Sequence, residues 1–451
     1  MVTKSQLGRL GLFDAKVPRY TSYPTAPHFS RDVGADQFTQ WIGAIPPDSR
    51  VSLYVHVPFC RRLCWFCACR TQGTQSDKPV LAYLETLLTE LRMLGDLLPE
   101  GVTLSRLHWG GGTPTLLAPQ MMEDLAGAIR EVAPFDDDTE FSVEIDPSEI
   151  DGDRLDALAR AGMNRASIGV QDFDPQIQAT IGRLQGYDIT KDAADEIRAR
   201  GVASLNADIL YGLPHQSKAR STASVQKLLT LEPDRVALYG YAHVPWMAKR
   251  QQLIPSDALP TPEERLELFD TARRLFLWDG YDEIGIDHFA KPTDGLSTAK
   301  AEGRLRRNFQ GYTEDTAEVL IGVGASSISR FPQGYAQNAP ATGAHTAAIR
   351  EGRFSTTRGH AFSDEDRMRA RIIEQIMCDF RVDAAEIQDC FGIATDELNE
   401  MLRKVAEGFE GLVEVSNIGL SIPQEARPLT RMIARGFDAY ELDKAGHSSA
   451  I

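Results

Sequence analysis

The sequence predicts an α/β fold: a partial (β/α) barrel of parallel strands, with an N-terminal arm and a mainly helical C-terminal domain. Three observations predict it. Short β-branched or aromatic runs alternate with longer amphipathic stretches through the middle of the chain, which implies parallel strands joined by right-handed crossovers. The unusual residues sit just after those runs, in PFC, GGGTPT, EIDP, GVQDF, DILYGLP, YAHVP and IDHFA, and in barrels the C-terminal strand ends form the active face. From about Ser363 the alternation gives way to helical periodicity.

In chain order, residues 1–45 hold PRYTSYPTAPHF, rich in Pro and aromatics, and read as an extended arm. VSLYVHVPF (51–59) reads as a buried strand, and PVLAYLETLLTELRMLGDLL (79–98) has apolar residues at helical spacing. SRLHWGG (105–111) is strand-like and precedes a helix near 118–132. EFSVEID (140–146), NRASIGV (164–170), SLNADILYG (204–212), RVALYGYAH (235–243) and YDEIGIDHF (281–289) bring the expected strands to seven. These runs place the barrel domain at 46–360 and the helical domain at 361–451. In the latter, DEDRMRARIIEQIMCDF, AAEIQDCFG and TDELNEMLRKVAEGFEGL read as helices, GLVEVSNIGLSIPQ (411–424) as a small hairpin, and RPLTRMIARGFDAYEL as a closing helix. The expected shape is helices plus a wing, and no internal repeat is visible.

Composition narrows the function classes. Of 451 residues, 42% are hydrophobic and 25% charged, and 64 acidic against 48 basic residues give a net charge of −16. Nucleic-acid binders carry a basic stripe that replaces phosphate counterions, so no nucleic-acid partner is expected. No apolar run is long enough for a signal peptide or a membrane span, and a cytoplasmic location away from membranes is expected. Six cysteines are too few for a disulfide scaffold, yet four lie between Cys60 and Cys69. In a reducing compartment such a cluster points to metal or redox chemistry.

Cys60-Arg-Arg-Leu-Cys64-Trp-Phe-Cys67-Ala-Cys69 follows directly from a predicted strand. Three thiolates on one short loop can wrap a corner of a cubane iron–sulfur cluster, leaving a fourth iron open to a ligand. Arg61, Arg62 and Arg70 would offset the negative charge, while Trp65 and Phe66 would keep solvent away. The competing reading is a structural zinc site made by all four cysteines, although zinc loops usually join two separated pairs. Gly110-Gly111-Gly112-Thr113 is either a tight turn or a place where backbone approaches a ligand without a Cβ in the way. Glu144, ending a strand, reads as a helix N-cap or a ligand contact. His56, His243 and His288 near strand ends are expected to be structural rather than metal ligands.

The spacing C-x-x-x-C-x-x-C after a strand is the signature of radical S-adenosylmethionine (SAM) enzymes. PRYTSYPTA, YVHVPFC with the extra Cys69, LHWGGGTPT, VEIDP, SIGVQDF, DILYGLP, YAHVP, DHFAKP, RRNFQGYT and GFDAY occur in one order. Over nearly the whole chain the sequence resembles the oxygen-independent coproporphyrinogen III oxidase family. The resemblance implies a 4Fe-4S cluster on Cys60, Cys64 and Cys67, and two SAM molecules side by side. It implies contacts from Tyr54, Gly111 and Glu144 to the cluster-bound SAM, and from Phe66, Gly112, Thr113, Gln171, Arg183, Asp208, Ala242 and Ile328 to the second. Such types suit the ligand: carboxylates accept from ammonium or ribose hydroxyls, and an arginine meets a carboxylate bidentately. The stretch carrying Ile328 matches more loosely than its surroundings.

Cys69 matches a family cysteine that is not a cluster ligand. The implied substrate, coproporphyrinogen III, has four propionates, and Arg19 in the arm is expected to pair with one. The implied reaction turns two propionates into vinyl groups and gives protoporphyrinogen IX, in a monomer served by an electron donor and acceptor that the sequence does not identify. The rival readings are a haem-handling relative without oxidase activity and a zinc-stabilised binding protein.

Overall fold

The computed structural model describes residues 3–441 and 449–451. Its centre is one sheet of twelve strands: β1 Arg50–Val57, β2 Thr103–Gly111, β3 Phe135–Ile145, β4 Arg165–Gln171, β5 Ser204–Tyr211, β6 Arg235–Gly240, β7 Asp282–Ile284, β8 His288–Ala290, β9 Leu320–Val323, β10 Ile328–Phe331, β11 Gly334–Asn338 and β12 Thr356–Ala361. The spatial order is β12-β11-β10-β9-β1-β2-β3-β4-β5-β6-β8-β7, and the ladder ends at β12 and β7 without closing. The seven strands from β9 to β6 are parallel, and both flanks are antiparallel. This is the α/β, parallel-dominated architecture that the alternation predicts.

One strand differs from the sequence reading. Residues 281–289 do not form the seventh parallel strand. Gly285, at φ +54°, turns the segment into the hairpin β7–β8, and β8 runs antiparallel to β6. The seventh parallel strand is β9, which pairs with β1 from Ser52↔Leu320 to Val55↔Val323. Its four residues are all buried, so it shows no alternation to mark it as a strand.

Alternation along the longer strands separates two environments. Leu53, Val55, Leu107, Trp109, Phe141, Val143, Ile168 and Leu238 pack in the main apolar core. The intervening positions carry Tyr54, His56, Arg106, His108, Glu140, Glu144, Arg165, Asp208, Arg235 and Tyr239. Near the strand starts this polar face is closed by ion pairs: Arg165–Glu140 at 2.7 Å, Arg106–Glu314 at 3.2 Å and Arg235–Asp294 at 2.7 Å. The sheet therefore has a charged base and an open rim at the strand ends.

A second apolar core joins the two ends of the chain. Leu7, Leu12, Val17, Tyr20 and Tyr23 of the arm pack with Ile376, Phe380, Leu402, Ile433 and Phe437. The arm is not wholly extended, because Lys4–Arg9 is helical, started by the Thr3 hydroxyl accepting from Gln6 N–H. Helices Asp364–Asp379, Ala384–Phe391 and Thr395–Glu407 carry a three-stranded wing of Arg381–Asp383, Glu414–Ser416 and Gly419–Ser421. The closing helix is shorter than its pattern implies: it spans Thr430–Arg435 after a 3₁₀ turn holding Pro428, and the end of the expected segment falls outside the described residues. No helix among the described residues is long and apolar enough to cross a membrane.

Candidate active site

The cysteine loop leaves β1 through Phe59–Cys60, which pairs with Gln72–Gly73 and closes the loop at its neck. All four cysteines carry free thiols, with Cys60, Cys64 and Cys67 half-buried and Cys69 exposed. Burial pushes the Cys60 thiol up to about 11, and the Cys67 and Cys64 charges lie within its field. Burial raises Cys64 as well, against Arg183, whose Nη1 lies 3.6 Å from its sulfur. Cys67 is brought down to about 6 by a hydrogen bond from Cys69 and by Arg250 and Arg183. The cations facing the sulfurs are thus Arg183 and Arg250, from distant loops, rather than the loop's own Arg61, which is paired with Asp77. Phe66 packs against Ile177, Ile181, Leu213, Tyr241 and Ile254, whereas Trp65 lies over Gly182 and stays partly exposed.

A zinc ion needs its donors to converge on one point. Among the described residues no group of three or more His, Cys, Asp or Glu converges to hold a metal ion. Thiols on one short loop, with two guanidiniums beside them, have the donor type and charge balance that an iron–sulfur cluster takes.

The cofactor-side residues line the rim of β1 to β3. A Cβ on Gly110 would lie 2.6 Å from Glu144 Oε1, and one on Gly111 would lie 2.5 Å from the His56 ring. Gly111 also sits at φ +111°, which disfavours any side chain. Glu144 is not a helix cap, since Asp151 caps the following helix by accepting from Arg154 N–H. Its Oε2 accepts from Gly111 N–H at 3.1 Å, and its Oε1 lies 3.2 Å from His108 Nε2. Burial alone would raise the Glu144 carboxyl, but His108 and the Gly111 amide outweigh it and hold it low. Tyr54 stacks on His108 and lies 2.9 Å from His56 Nδ1. Burial lowers His56, so the neutral ring accepts from Tyr54 O–H and donates from Nε2 to the Arg70 carbonyl at 3.3 Å. His108 carries this arrangement, and only its strand position signalled it in the sequence.

The other predicted contacts lie mainly along β4 to β6. Gln171 sits at a register shift with φ +66°, a strained position of the kind that collects at functional sites. Arg183 donates to the Gly169 carbonyl at 3.1 Å and pairs with Asp146 at 3.3 Å. Gln251 donates to both the Phe66 carbonyl, at 2.7 Å, and the Ala242 carbonyl, at 3.0 Å, tying the cysteine loop to the end of β6. Gly112 and Thr113 donate their amides to Val57 and Phe59, and the Thr113 hydroxyl reaches Cys60. Ile328 stands on β10, two strands from Tyr54.

Asp208 lies between the two groups. Burial pushes its carboxyl up to about 7, opposed by a hydrogen bond from Asn206 at 2.8 Å and reinforced by Glu144. Its unfolded-state value is the ordinary 3.8, so the native state keeps the proton longer and loses relative stability as pH rises from 4 to 7. Asp208→Asn removes that loss. In thermal unfolding of cofactor-free protein, its Tm advantage over the unsubstituted chain is expected to be about 2 °C or more larger near pH 8 than near pH 5.

Beyond the end of β6 lies a cavity of about 300 Å³. Arg19, Arg265, Arg307 and Arg431 line it together with Tyr211, Ala242, Asp287 and residues Ser449–Ile451. Arg19 donates to the Gly240 carbonyl at 2.6 Å. Arg265 donates to the carbonyls of Tyr241 and Gly212 at 2.9 and 3.2 Å, and to the main-chain oxygen of Ile451 at 3.1 Å. Arg431 donates to the carbonyls of Val17, Pro18, Ser449 and Ala450. Burial and the neighbouring Arg19 lower Arg431 to about 9. The nearest carboxylate to the Arg307 guanidinium is Asp287, 3.9 Å away, and its Nε has no hydrogen-bond partner. Arg19 and Arg431 have no salt-bridge partner among the described residues.

A parallel sheet with a cysteine loop after its first strand, glycines after the second and a carboxylate after the third defines the class of iron–sulfur enzymes that cleave SAM. Residues 54–223 match the Radical SAM superfamily. Full-length likeness is narrower. The chain is 67% identical over 451 residues, all of both chains, to an oxygen-independent coproporphyrinogen III oxidase of Paracoccus denitrificans (strain Pd 1222). It is 38% identical to the enzyme of that name from Escherichia coli (strain K12), over 95% of this chain and 94% of that one. A solved structure described as coproporphyrinogen III oxidase (HemN) from Escherichia coli, a radical SAM enzyme, superposes with a TM-score of 0.90 at 36% identity, covering 95% of this chain and 100% of that one. The chain belongs to the oxygen-independent coproporphyrinogen III oxidase family of radical SAM enzymes, which implies a 4Fe-4S cluster and SAM.

Proposed function

We propose that the chain oxidatively decarboxylates two propionates of coproporphyrinogen III to vinyl groups, giving protoporphyrinogen IX, and holds two SAM molecules to do so. The arginine cavity carries the substrate assignment. A buried cation without a counter-charge is costly, and Arg19 and Arg431 spend their donors on neutral carbonyls. A ligand with four carboxylates supplies the missing charge, and guanidiniums suit it because their planar fork matches a carboxylate. The two groups of rim residues, Tyr54, Gly111 and Glu144 on one side and Phe66, Gln171, Arg183, Asp208 and Ala242 on the other, support two SAM molecules.

Cys60, Cys64 and Cys67 would hold the cluster, which with SAM supplies the radical that takes one hydrogen from the β-carbon of a propionate. The chain's own residues then set position and charge. Tyr54, Gly111 and Glu144 fix the ligand's polar groups beside the cysteine loop. Arg183 and Arg250 offset negative charge at the sulfurs, which raises the reduction potential. The cavity arginines hold the propionates not reacting, so that the arm to be cut faces the rim. Loss of CO2 from that arm, with one electron passed to a separate acceptor, leaves the vinyl group.

Anaerobic incubation with dithionite, SAM and coproporphyrinogen III tests the reading, with chromatography for the divinyl product and 5′-deoxyadenosine. Both are expected. A stable haem complex with no vinyl product would overturn it. Arg19→Ala is expected to raise KM for coproporphyrinogen III about 10- to 100-fold, the worth of one charged hydrogen bond, with a smaller change in kcat.

A further inference from the structure

The cavity holds one acidic side chain with an oxygen to spare among its cations. Asp287 lies in the turn between β7 and β8, and its carboxylate lines the cavity. Oδ1 accepts from His288 Nδ1 at 2.6 Å, with Arg307 Nη1 3.9 Å away. Oδ2 has no hydrogen-bond partner among the described residues, although the side chain remains 17% exposed. Burial alone would raise this carboxyl, but His288, Arg307 and Arg19 outweigh it and hold the group down to about 2, so it is ionised throughout the working range. The other acidic side chains of the cavity are spent. Glu283 is held by Arg273 at 2.6 Å and by Arg427 at 2.8 Å, and Asp270 pairs with Arg274 at 2.8 Å.

A fixed carboxylate oxygen facing a cavity is an acceptor waiting for a donor. In a ring of guanidiniums it would weaken binding of a carboxylate-rich ligand unless the ligand also brought donors to its centre. A porphyrinogen does so: each of its four pyrrole nitrogens carries hydrogen, and none is a free acceptor. The oxidised porphyrin carries two N–H groups and two bare nitrogens, whose lone pairs a carboxylate repels.

We propose that Asp287 holds the centre of the tetrapyrrole, its Oδ2 accepting from the pyrrole N–H groups while the surrounding arginines take the propionates. The cavity then distinguishes the hexahydro ring from its aromatic oxidation product. The placement suits the chemistry. His288 Nε2 meets Tyr239 O–H at 3.3 Å, and Tyr239 lies in the field of Asp208. A ring centred on Asp287 therefore lies one side-chain pair from the cofactor-side residues. Asp287 is a substrate-positioning residue here, and its role rests on the reaction proposed above.

Asp287→Asn in the holoenzyme tests it, since the amide keeps an oxygen for His288 and loses the anion. Anaerobic titration is expected to show Kd for coproporphyrinogen III rising about 10- to 100-fold, with that for coproporphyrin III changing less than about threefold or tightening. The preference for the reduced ring collapses, while SAM binding and the cluster spectrum stay as in the unsubstituted enzyme. Asp287→Glu, which keeps the charge at a shifted position, is expected to recover part of the preference. If the unsubstituted enzyme yields no divinyl product, the reaction assignment itself fails. If it does yield product and Asp287→Asn, folded and with its cluster, keeps the full preference for the reduced ring, the role of Asp287 is overturned.

Discussion

Cys64→Ala is expected to lower divinyl formation by about 10⁴-fold or more and to leave protein that cannot retain a full complement of iron and sulfide. Cys64 is one of three half-buried thiols on a loop closed at its neck by the Phe59–Cys60 pairing, so no other sulfur can swing into its place. Cys69 is the nearest alternative, but its thiol interacts with Cys67 and its amide already donates to the Cys67 sulfur at 3.4 Å. Cys69→Ala should therefore keep its iron and sulfide. Metal and sulfide analysis with absorption spectra of anaerobic protein separates the two variants, and full turnover by Cys64→Ala would remove the cluster assignment.

Gly112→Ala is expected to cost about 2–4 kcal/mol of stability and at least about 100-fold in SAM cleavage. The added methyl would lie 2.5 Å from the Phe59 carbonyl and 2.9 Å from both the Phe59 amide and the Val57 carbonyl. These are backbone atoms, so no rotamer change relieves the overlap. Relief requires the chain between β1 and Cys60 to move away from β2, and that chain sets where the first sulfur sits. It also carries the hydrogen bond from Gly112 N–H to the Val57 carbonyl at 2.8 Å. Thermal unfolding and 5′-deoxyadenosine release measure the two effects. A variant with unchanged Tm and cleavage rate would show that this contact does not position the loop.

The parts legible in the sequence are those written locally. The cysteine loop announces itself because its four cysteines lie within ten residues, and β2 to β6 because a polar residue facing the rim alternates with an apolar one facing the helices. The seventh parallel strand was not legible for two local reasons. YDEIGIDHF looks continuous until Gly285 turns it back, and the real strand, Leu320–Val323, is buried on every side and too short to show a period. The arginine cavity was legible only through Arg19. Its other cations come from positions 265, 307 and 431, brought together by packing of the arm against the C-terminal helices. Asp287 and His288 stood in a conspicuous run, but nothing in that run says that guanidiniums surround it. Arg250 and Gln251 were hidden in the same way, since only the folded chain puts them against the cysteine loop.

The ion-paired base of the sheet has a consequence for how acidity acts on the molecule. Glu140, buried but flanked by Arg165, Arg235 and Arg106, is held at about 2 against an ordinary 4.5. Its contribution is complete above about pH 4.5 and is lost only as the medium falls toward 2. Asp208, a few residues up the neighbouring wall, changes charge near neutrality. Foundation and mouth therefore answer to different proton concentrations: a mild acid shift neutralises the carboxyl at the top while the footing beneath stays charged and locked.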